Sequence, residues 1–236
     1  RPMIQAFIRA IGQPLLDRLG WEPAPHDDVQ RRRLRATLIR ILGTVGADAA
    51  VRERARQLLT AHWQNQASIS PELLTPLAHV VASFGGEAEW EAMYHRYRNA
   101  STPQEEKRYL YALAGFSDPD LLRRTLELYH SDEVRIQDGA LALGQLMANR
   151  HARRMTWHSL EERWNELLDK YPKMIEHILS PVALVVEDDL AEQVRGWLKT
   201  HPVPQAERHI RQTLEFQSVN QALARRIRGH VGEWLA

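Results

Sequence analysis

Residues 102–171 carry a succession of helix-start signals in close order, and that spacing restricts the chain to short helices. Thr102-Pro103-Gln104-Glu105 opens the first, with Thr as N-cap, Pro at the first helical position and Glu three residues after the cap. Ser117-Asp118-Pro119-Asp120 restarts the chain by the same device. The segment from Asp132 to Asp138 breaks that helix and begins a third. A fourth is predicted to carry Trp157 and Trp164, whose seven-residue spacing puts them on one helix face.

The same period runs through the rest of the chain. Leu34, Leu38, Ile41, Leu42 and Val45 form one predicted apolar stripe, and Leu160, Trp164, Leu167, Leu168 and Tyr171 repeat it. Leu190, Val194, Trp197 and Leu198 follow the same spacing, as do Ile227, Val231 and Trp234 with Leu235. The nearest candidate for a strand, Val182 to Val186, is short and follows Pro181. Breaks recur roughly every 12–20 residues. They include the loop from Gly20 to Pro25, Gly46-Ala47-Asp48, Ser70-Pro71 and His201-Pro202-Val203-Pro204. Gly85-Gly86 is expected to end a helix with a left-handed cap. The expectation is an all-α fold of roughly eleven to thirteen helices in one domain over residues 1–236. Short linkers favour antiparallel pairs stacked as a superhelical array of the HEAT or armadillo kind, with a globular bundle as the competing arrangement.

Composition narrows the partners. Thirty-one basic residues against 30 acidic ones leave +1, so nothing drives the chain generally toward nucleic acid or an anionic membrane. The longest uncharged run, Leu73 to Gly86, is too short to span a bilayer. The chain has no cysteine, hence no disulfide framework or thiolate metal site, and it fits a reducing, cytoplasmic setting. It opens inside an amphipathic pattern (Met3, Ile4, Phe7, Ile8, Ile11), which points to a fragment of a longer polypeptide.

No motif for chemistry emerges. The 11 histidines include no His-Glu-x-x-His. His151 and His158 would share a helix face about 10 Å apart along the axis, too far for one tetrahedral zinc. Neither a phosphate-binding glycine loop nor Gly-x-Ser-x-Gly is present. The pairs Asp27-Asp28, Glu105-Glu106 and Asp188-Asp189 sit at predicted helix starts, where carboxylates complement the dipole. The basic groups Arg31-Arg32-Arg33 with Arg35, Arg150 with Arg153 and Arg154, and Arg225-Arg226 with Arg228 read as solvated faces or as partners of nearby acids. Binding of an anion or a peptide carboxylate is the alternative. Trp157, Trp164, Trp197 and Trp234 read as core anchors.

From Glu106-Lys107-x-x-Leu110-x-Ala112-Leu113-Ala114 onward, the chain resembles the C-terminal helical domain of the zinc aminopeptidases. The branch is the aminopeptidase N, puromycin-sensitive and endoplasmic-reticulum aminopeptidase group. The likeness continues through Asp118-x-x-Leu121-Leu122, Val134-Arg135-x-Gln137-Asp138, Asn149, Arg153, Trp157 and Trp164-Asn165. The run from His201 to Arg208 is similar to the puromycin-sensitive branch in particular. Weaker matches extend from Leu15-Leu16-x-x-Leu19-Gly20-Trp21 to Trp234-Leu235. Two positions depart from the pattern: Ala152 stands where members often have Gly, and Leu223 where they often have Trp.

The resemblance implies a non-catalytic part of a peptidase that removes N-terminal amino acids. Its catalytic domain would supply a His-Glu-x-x-His zinc site, a third glutamate ligand and a Gly-x-Met-Glu-Asn-type loop, none of which lies in this chain. The implied partners are that catalytic domain, in the same polypeptide, and the peptide substrate; neither nucleic acid nor membrane is implied. The implied cofactor is Zn2+, held by the parent enzyme, with no catalytic or metal residue in this segment. Arg150 and Arg153 are the candidates for contact with the distal carboxylate of a peptide. A free-standing helical-repeat scaffold that binds a protein partner is the alternative function.

Overall fold

The computed structural model describes residues 2–24, 26–66 and 68–234, the last few (228, 229 and 231–234) by their backbone only. The described residues form thirteen α-helices and two short 3-10 turns, with no strand. Two compact units result, residues 2–116 and 117–234.

The first unit holds α1 (Pro2–Leu19), α2 (Val29–Gly43), α3 (Ala49–Trp63), α4 (Pro71–Ala82), α5 (Glu87–Arg98) and α6 (Pro103–Leu113). α1 packs on α2, α3 on α4 and α5 on α6, while α2 packs on α4 and α4 on α6. Three helix pairs are therefore stacked through their even-numbered members. α4 is buried nearly all round, from Leu73 to Ala82, because it has neighbours on several sides. The uncharged run too short for a membrane is this central helix. No helix among the described residues is long and apolar enough to cross a membrane.

The second unit holds α7 (Pro119–His130), α8 (Ile136–Ala148), α9 (Arg153–Glu162), α10 (Trp164–Lys170), α11 (Ile175–Leu179), α12 (Asp188–Thr200) and α13 (Glu207–Trp234). The 3-10 turns span Ser180–Leu184 and Pro204–Ala206. α8 is its centre, touching α7, α9, α11 and the first 3-10 turn. Two glycines let it be approached closely. A methyl group on Gly139 would strike the Tyr171 hydroxyl, and one on Gly144 would strike the His177 carbonyl oxygen.

The start signals act as expected. The Thr102 side chain accepts from Glu105 N, and the Asp118 side chain from Asp120 N and Leu121 N. Ser70 precedes α4, with Pro71 at its first position. Asp28 and Asp48 cap α2 and α3. The expected left-handed cap is found elsewhere. Gly20 has φ +69° and ends α1, with its N–H donating to Leu16 O at 2.8 Å. α4 ends at Ala82, and Gly86 is instead the N-cap of α5.

Three further expectations are corrected. Trp157 and Trp164 lie on separate helices, because the chain breaks at Arg163. Both are buried all the same, together with Leu160, Leu167 and Tyr171. Trp197 is only half-buried: its ring stacks on His201 at 3.7 Å and meets Trp164 edge-on at 6.2 Å. The Trp234 side chain lies outside the described residues. On α2 the buried face is Arg35, Leu38, Ile39, Leu42 and Gly43, while Leu34 and Val45 of the predicted stripe are exposed.

Arg35 is the largest departure. It is fully buried and donates to Leu19 O and Gly20 O, both at 2.9 Å, and to the Asp27 carboxylate at 2.5 Å. Asp27 also accepts from Ala24 N and from the Arg31 side chain. Those donors, Ala24 N first and the Arg35 guanidinium next, hold the Asp27 carboxyl well below the usual carboxylate range. One ion pair thus fixes the end of α1, the loop after it and the start of α2. Removing one partner strands the other's buried charge, whereas removing both leaves no buried charge, only the Leu19 and Gly20 carbonyls and the Ala24 N–H to be paired anew. Arg35→Met and Asp27→Leu should each lower the urea midpoint, and the double variant should lose clearly less than their sum. Additive losses would show that the pair contributes no coupling.

Burial of Trp164 allows a second test. Trp164→Ala should cost about 3–5 kcal/mol in urea unfolding, and the half-buried Trp197→Ala less.

Two histidines set the acid response. Burial, reinforced by Arg40, lowers the His79 pKa to about 4. Burial, reinforced chiefly by Arg163, lowers that of His130 to about 4. An unfolded histidine titrates near 6.5, so between these values the unfolded chain binds more protons than the folded one. Stability should be complete above about pH 6.5 and decline as the pH falls toward 4. The His79→Gln/His130→Gln variant should show a flatter fall in thermal midpoint between pH 7 and 4.5.

Candidate functional site

The candidate residues Arg150 and Arg153 flank the turn between α8 and α9, and the structure gives them different roles. Asn149 ends α8, and its side chain accepts from His151 N at 2.9 Å, which holds the turn. Arg150 is exposed, and its Nε donates to His151 Nε2 at 3.1 Å. Arg153 opens α9 and is 6% exposed. Its Nε donates to Met147 O and its Nη2 to Ala148 O, both at 3.2 Å, and its Nη1 meets the Glu187 carboxylate at 3.2 and 3.3 Å. Met147 and Ala148 end α8, so their carbonyls have no partner within that helix. Glu187 is the N-cap residue of α12. Arg153 therefore braces three helix ends, and a peptide carboxylate would have to compete with Glu187 for it.

The neighbouring pairs continue this pattern. Arg154 donates to Asp189 at 2.7 Å, which lowers the Asp189 pKa. Arg225 donates to Asp188 at 2.7 Å, and Gln221 donates to the same oxygen. Asp188 and Asp189 form the first turn of α12, as the acid pair predicts. Among the other basic groups, Arg31 pairs with Asp27 and Arg32 with Glu72. Arg33 is exposed, and the Arg228 side chain lies outside the described residues.

Beside this turn, α7 and α9 enclose an open cavity of about 730 Å³. Its wall includes Arg123, Arg154 and Arg163, whose charges are partly met by Asp120, Asp189 and Glu166 at 2.5, 2.7 and 2.8 Å. Glu127 and Glu162 add two negative charges to the same wall. His130 lies against it, with Nε2 2.8 Å from Ser159 Oγ, and its lowered pKa keeps it neutral near pH 7. The charges are mixed and the opening is wide, so the cavity suits a polar peptide segment better than a single anion.

These residues do not fit a zinc centre. His151 lies in the turn before α9 and His158 within it, so the two do not share a helix face as predicted. His130 is engaged by Ser159, and His158 Nδ1 lies 3.4 Å from Glu161, which also accepts from Trp157 Nε1. No group of three metal-binding side chains converges among the described residues.

Sequence reasoning missed the bracing role of Arg153. The signal was present but weak: an arginine at a helix start, where acids are the favoured charge, with an acid 34 positions on at another helix start.

Comparison with known proteins completes the picture. The chain is 25% identical over 223 residues to Aminopeptidase M1-A of Oryza sativa subsp. japonica, covering 92% of this chain and 25% of that protein. It is 24% identical over 227 residues to Aminopeptidase M1 of Arabidopsis thaliana, covering 92% and 25%. It is 27% identical over 172 residues to Glutamyl aminopeptidase of Rattus norvegicus, covering 72% and 18%. The chain thus spans about a quarter or less of the length of these relatives. Residues 1–217 match the family described as ERAP1-like C-terminal domain, and with nearly the whole chain in register the protein belongs to that family.

Proposed function

We propose that this chain is a non-catalytic C-terminal domain of a zinc aminopeptidase that removes N-terminal amino acids from peptides. One observation carries the reading: a family match over residues 1–217 in a chain that spans about a quarter of relatives named aminopeptidases. The zinc and the residues that activate water belong, on this reading, to the catalytic domain of the same polypeptide. No step of the hydrolysis runs through the helices described above. Their part is to wall off the active site and to contact the peptide away from the scissile bond. A cytoplasmic setting is part of the same reading.

The support for a peptide contact is local. Arg150 is exposed on the turn beside the α7–α9 cavity, next to His151 and Arg154 of its wall. A guanidinium there can hold a carboxylate of a peptide segment lying in the cavity. Arg153, committed to Glu187 and two carbonyls, supports the turn that presents Arg150.

The full-length parent tests both roles. A charge-assisted bond to a carboxylate is worth about 1.5–3 kcal/mol, roughly ten- to a hundredfold. Arg150→Ala should lower kcat/KM on long peptides by that factor relative to its effect on single-residue chromogenic substrates. Arg153→Ala should lower the thermal midpoint and depress both substrates alike. Equal losses on long and short substrates for Arg150→Ala would remove it from the peptide path. A full-length parent that releases no N-terminal residue from any peptide would overturn the aminopeptidase reading itself.

A further inference from the structure

The break between α9 and α10 opens a small recess beside the site described above. α9 ends at Glu162 and α10 begins at Trp164, with Arg163 between them. Gln193, Trp197 and the C-cap residue His201 follow one another at i, i+4 and i+8, so they stand on one side of α12. Gln193 Nε2 donates to Glu161 at 2.7 Å, which turns that side toward the break. The cavity left between them holds about 250 Å³. Glu161, Glu162, Trp164, Glu166, Trp197 and His201 line it. The larger α7–α9 cavity also has Glu162 and Arg163 in its wall, so the two cavities adjoin.

The charges of the recess do not cancel. Arg163 donates to Glu166 at 2.8 and 3.0 Å, and that pair is neutral. The Glu161 side chain is 14% exposed and accepts from two neutral donors, Trp157 Nε1 and Gln193 Nε2, both at 2.7 Å. Its one ionisable neighbour is His158, at 3.4 Å. Among the described residues no arginine or lysine forms an ion pair with Glu161 or Glu162. Two carboxylates thus lack a strong cation. One of them is largely withdrawn from water, where a charge is costly without a partner. Trp197 stacks on His201 and meets Trp164 edge-on, which sets an aromatic corner beside these acids. Tryptophan is the ring that attracts a cation best. Trp197 Nε1, on the same wall, is shut off from water and has no hydrogen-bond partner. The carboxylates do not converge as a metal site. A ligand that meets these demands carries an organic cation, a short apolar stem and a carbonyl acceptor.

We propose that the recess holds a lysine or arginine residue of a peptide, its cationic head at Glu161 and Glu162 and its stem against Trp164 and Trp197. A peptide lying in the α7–α9 cavity reaches the recess across Glu162 and Arg163, which belong to both walls. The inference rests on the reading that this domain contacts peptides, and it adds a charge preference: Arg150 takes a carboxylate, and the recess takes a basic side chain.

Indole N–H resonances test this in the 236-residue chain. Each of the seven tryptophans gives one cross-peak, and Trp197→Phe identifies that of Trp197. The probes are pentapeptides capped at both ends, alanine throughout except for a central lysine, arginine, norleucine or glutamate, so that the central side chain carries the only charge. The lysine and arginine peptides should move the Trp197 peak saturably, with about tenfold higher affinity than the norleucine peptide. Glu162→Gln, at an exposed position, should weaken both about tenfold with the thermal midpoint unchanged. Glu127→Gln, in the larger cavity only, should leave them unchanged. Equal affinity for the lysine and norleucine peptides would overturn the proposal, and so would a Trp197 peak that no peptide moves. Loss of affinity in Glu127→Gln but not in Glu162→Gln would overturn it in favour of the larger cavity. Pentylammonium that binds as tightly as the lysine peptide would overturn it in favour of free amines. Aminoacyl anilide turnover by the full-length parent is scored separately. Selection of lysine by the recess without turnover would sink the enzyme reading and leave the recess standing.

Discussion

A helix of about twelve residues is not stable alone in water, and most helices of this chain are that short. Each must bury its stripe on a neighbour, and this requirement organises both units. α4 and α8, the helices with several neighbours, carry the densest burial, and α8 reaches its density only because Gly139 and Gly144 admit Tyr171 and His177. The loops are short because the partners are adjacent. The helix ends, left with unpaired carbonyls at one terminus and unpaired N–H groups at the other, become the second problem to solve.

Arginine and amide side chains solve it. Arg35 takes the last carbonyls of α1, and Arg153 those of α8. Asn220 donates to Ala183 O at 2.8 Å and Gln217 to Val182 O at 3.4 Å, which serves the 3-10 turn after α11. Arg195 then donates to Gln217 and Gln221. The inner face of α13 is consequently polar, while Phe216 and Val219 are exposed. Residues that look available for ligands in the sequence are in large part the clamps between helix termini. That division separates Arg153 from Arg150: one is buried among its partners, and the other stands at the surface beside a cavity.

The helices themselves were legible because start signals are local. A Thr or Asp side chain caps the N–H groups two or three residues on, and nothing distant is needed to read Thr102, Asp118 or Pro71. The phase of a stripe is a different matter. Period tells that α2 is amphipathic, but the buried face is chosen by its partners, and the Asp27 carboxylate brings Arg35 inside at the expense of Leu34. The same holds for α13, where Gln217 is buried and its neighbour Phe216 is not. The break at Arg163 also escaped the period, because Leu160 and Trp164 are both buried whether or not one helix joins them. At the candidate site, the sequence marked the turn but could not separate the buried arginine from the exposed one. Their difference depends on Glu187, 34 residues from Arg153.

The family resemblance follows from this physics. Its matched positions include a cap (Asp118), a brace (Arg153) and buried aromatic rings (Trp157, Trp164). These residues specify how helices end and lean on one another. Relatives that share only about a quarter of their residues can keep such positions because each fixes a joint, whereas the apolar side chains between joints can be exchanged at nearly constant volume. The order and spacing of the joints therefore identify this domain although it contains no chemical motif. By the same argument, its function cannot be read from a reactive group. On the proposed reading it rests instead on where the joints hold the surfaces of the helices, above all the turn that presents Arg150.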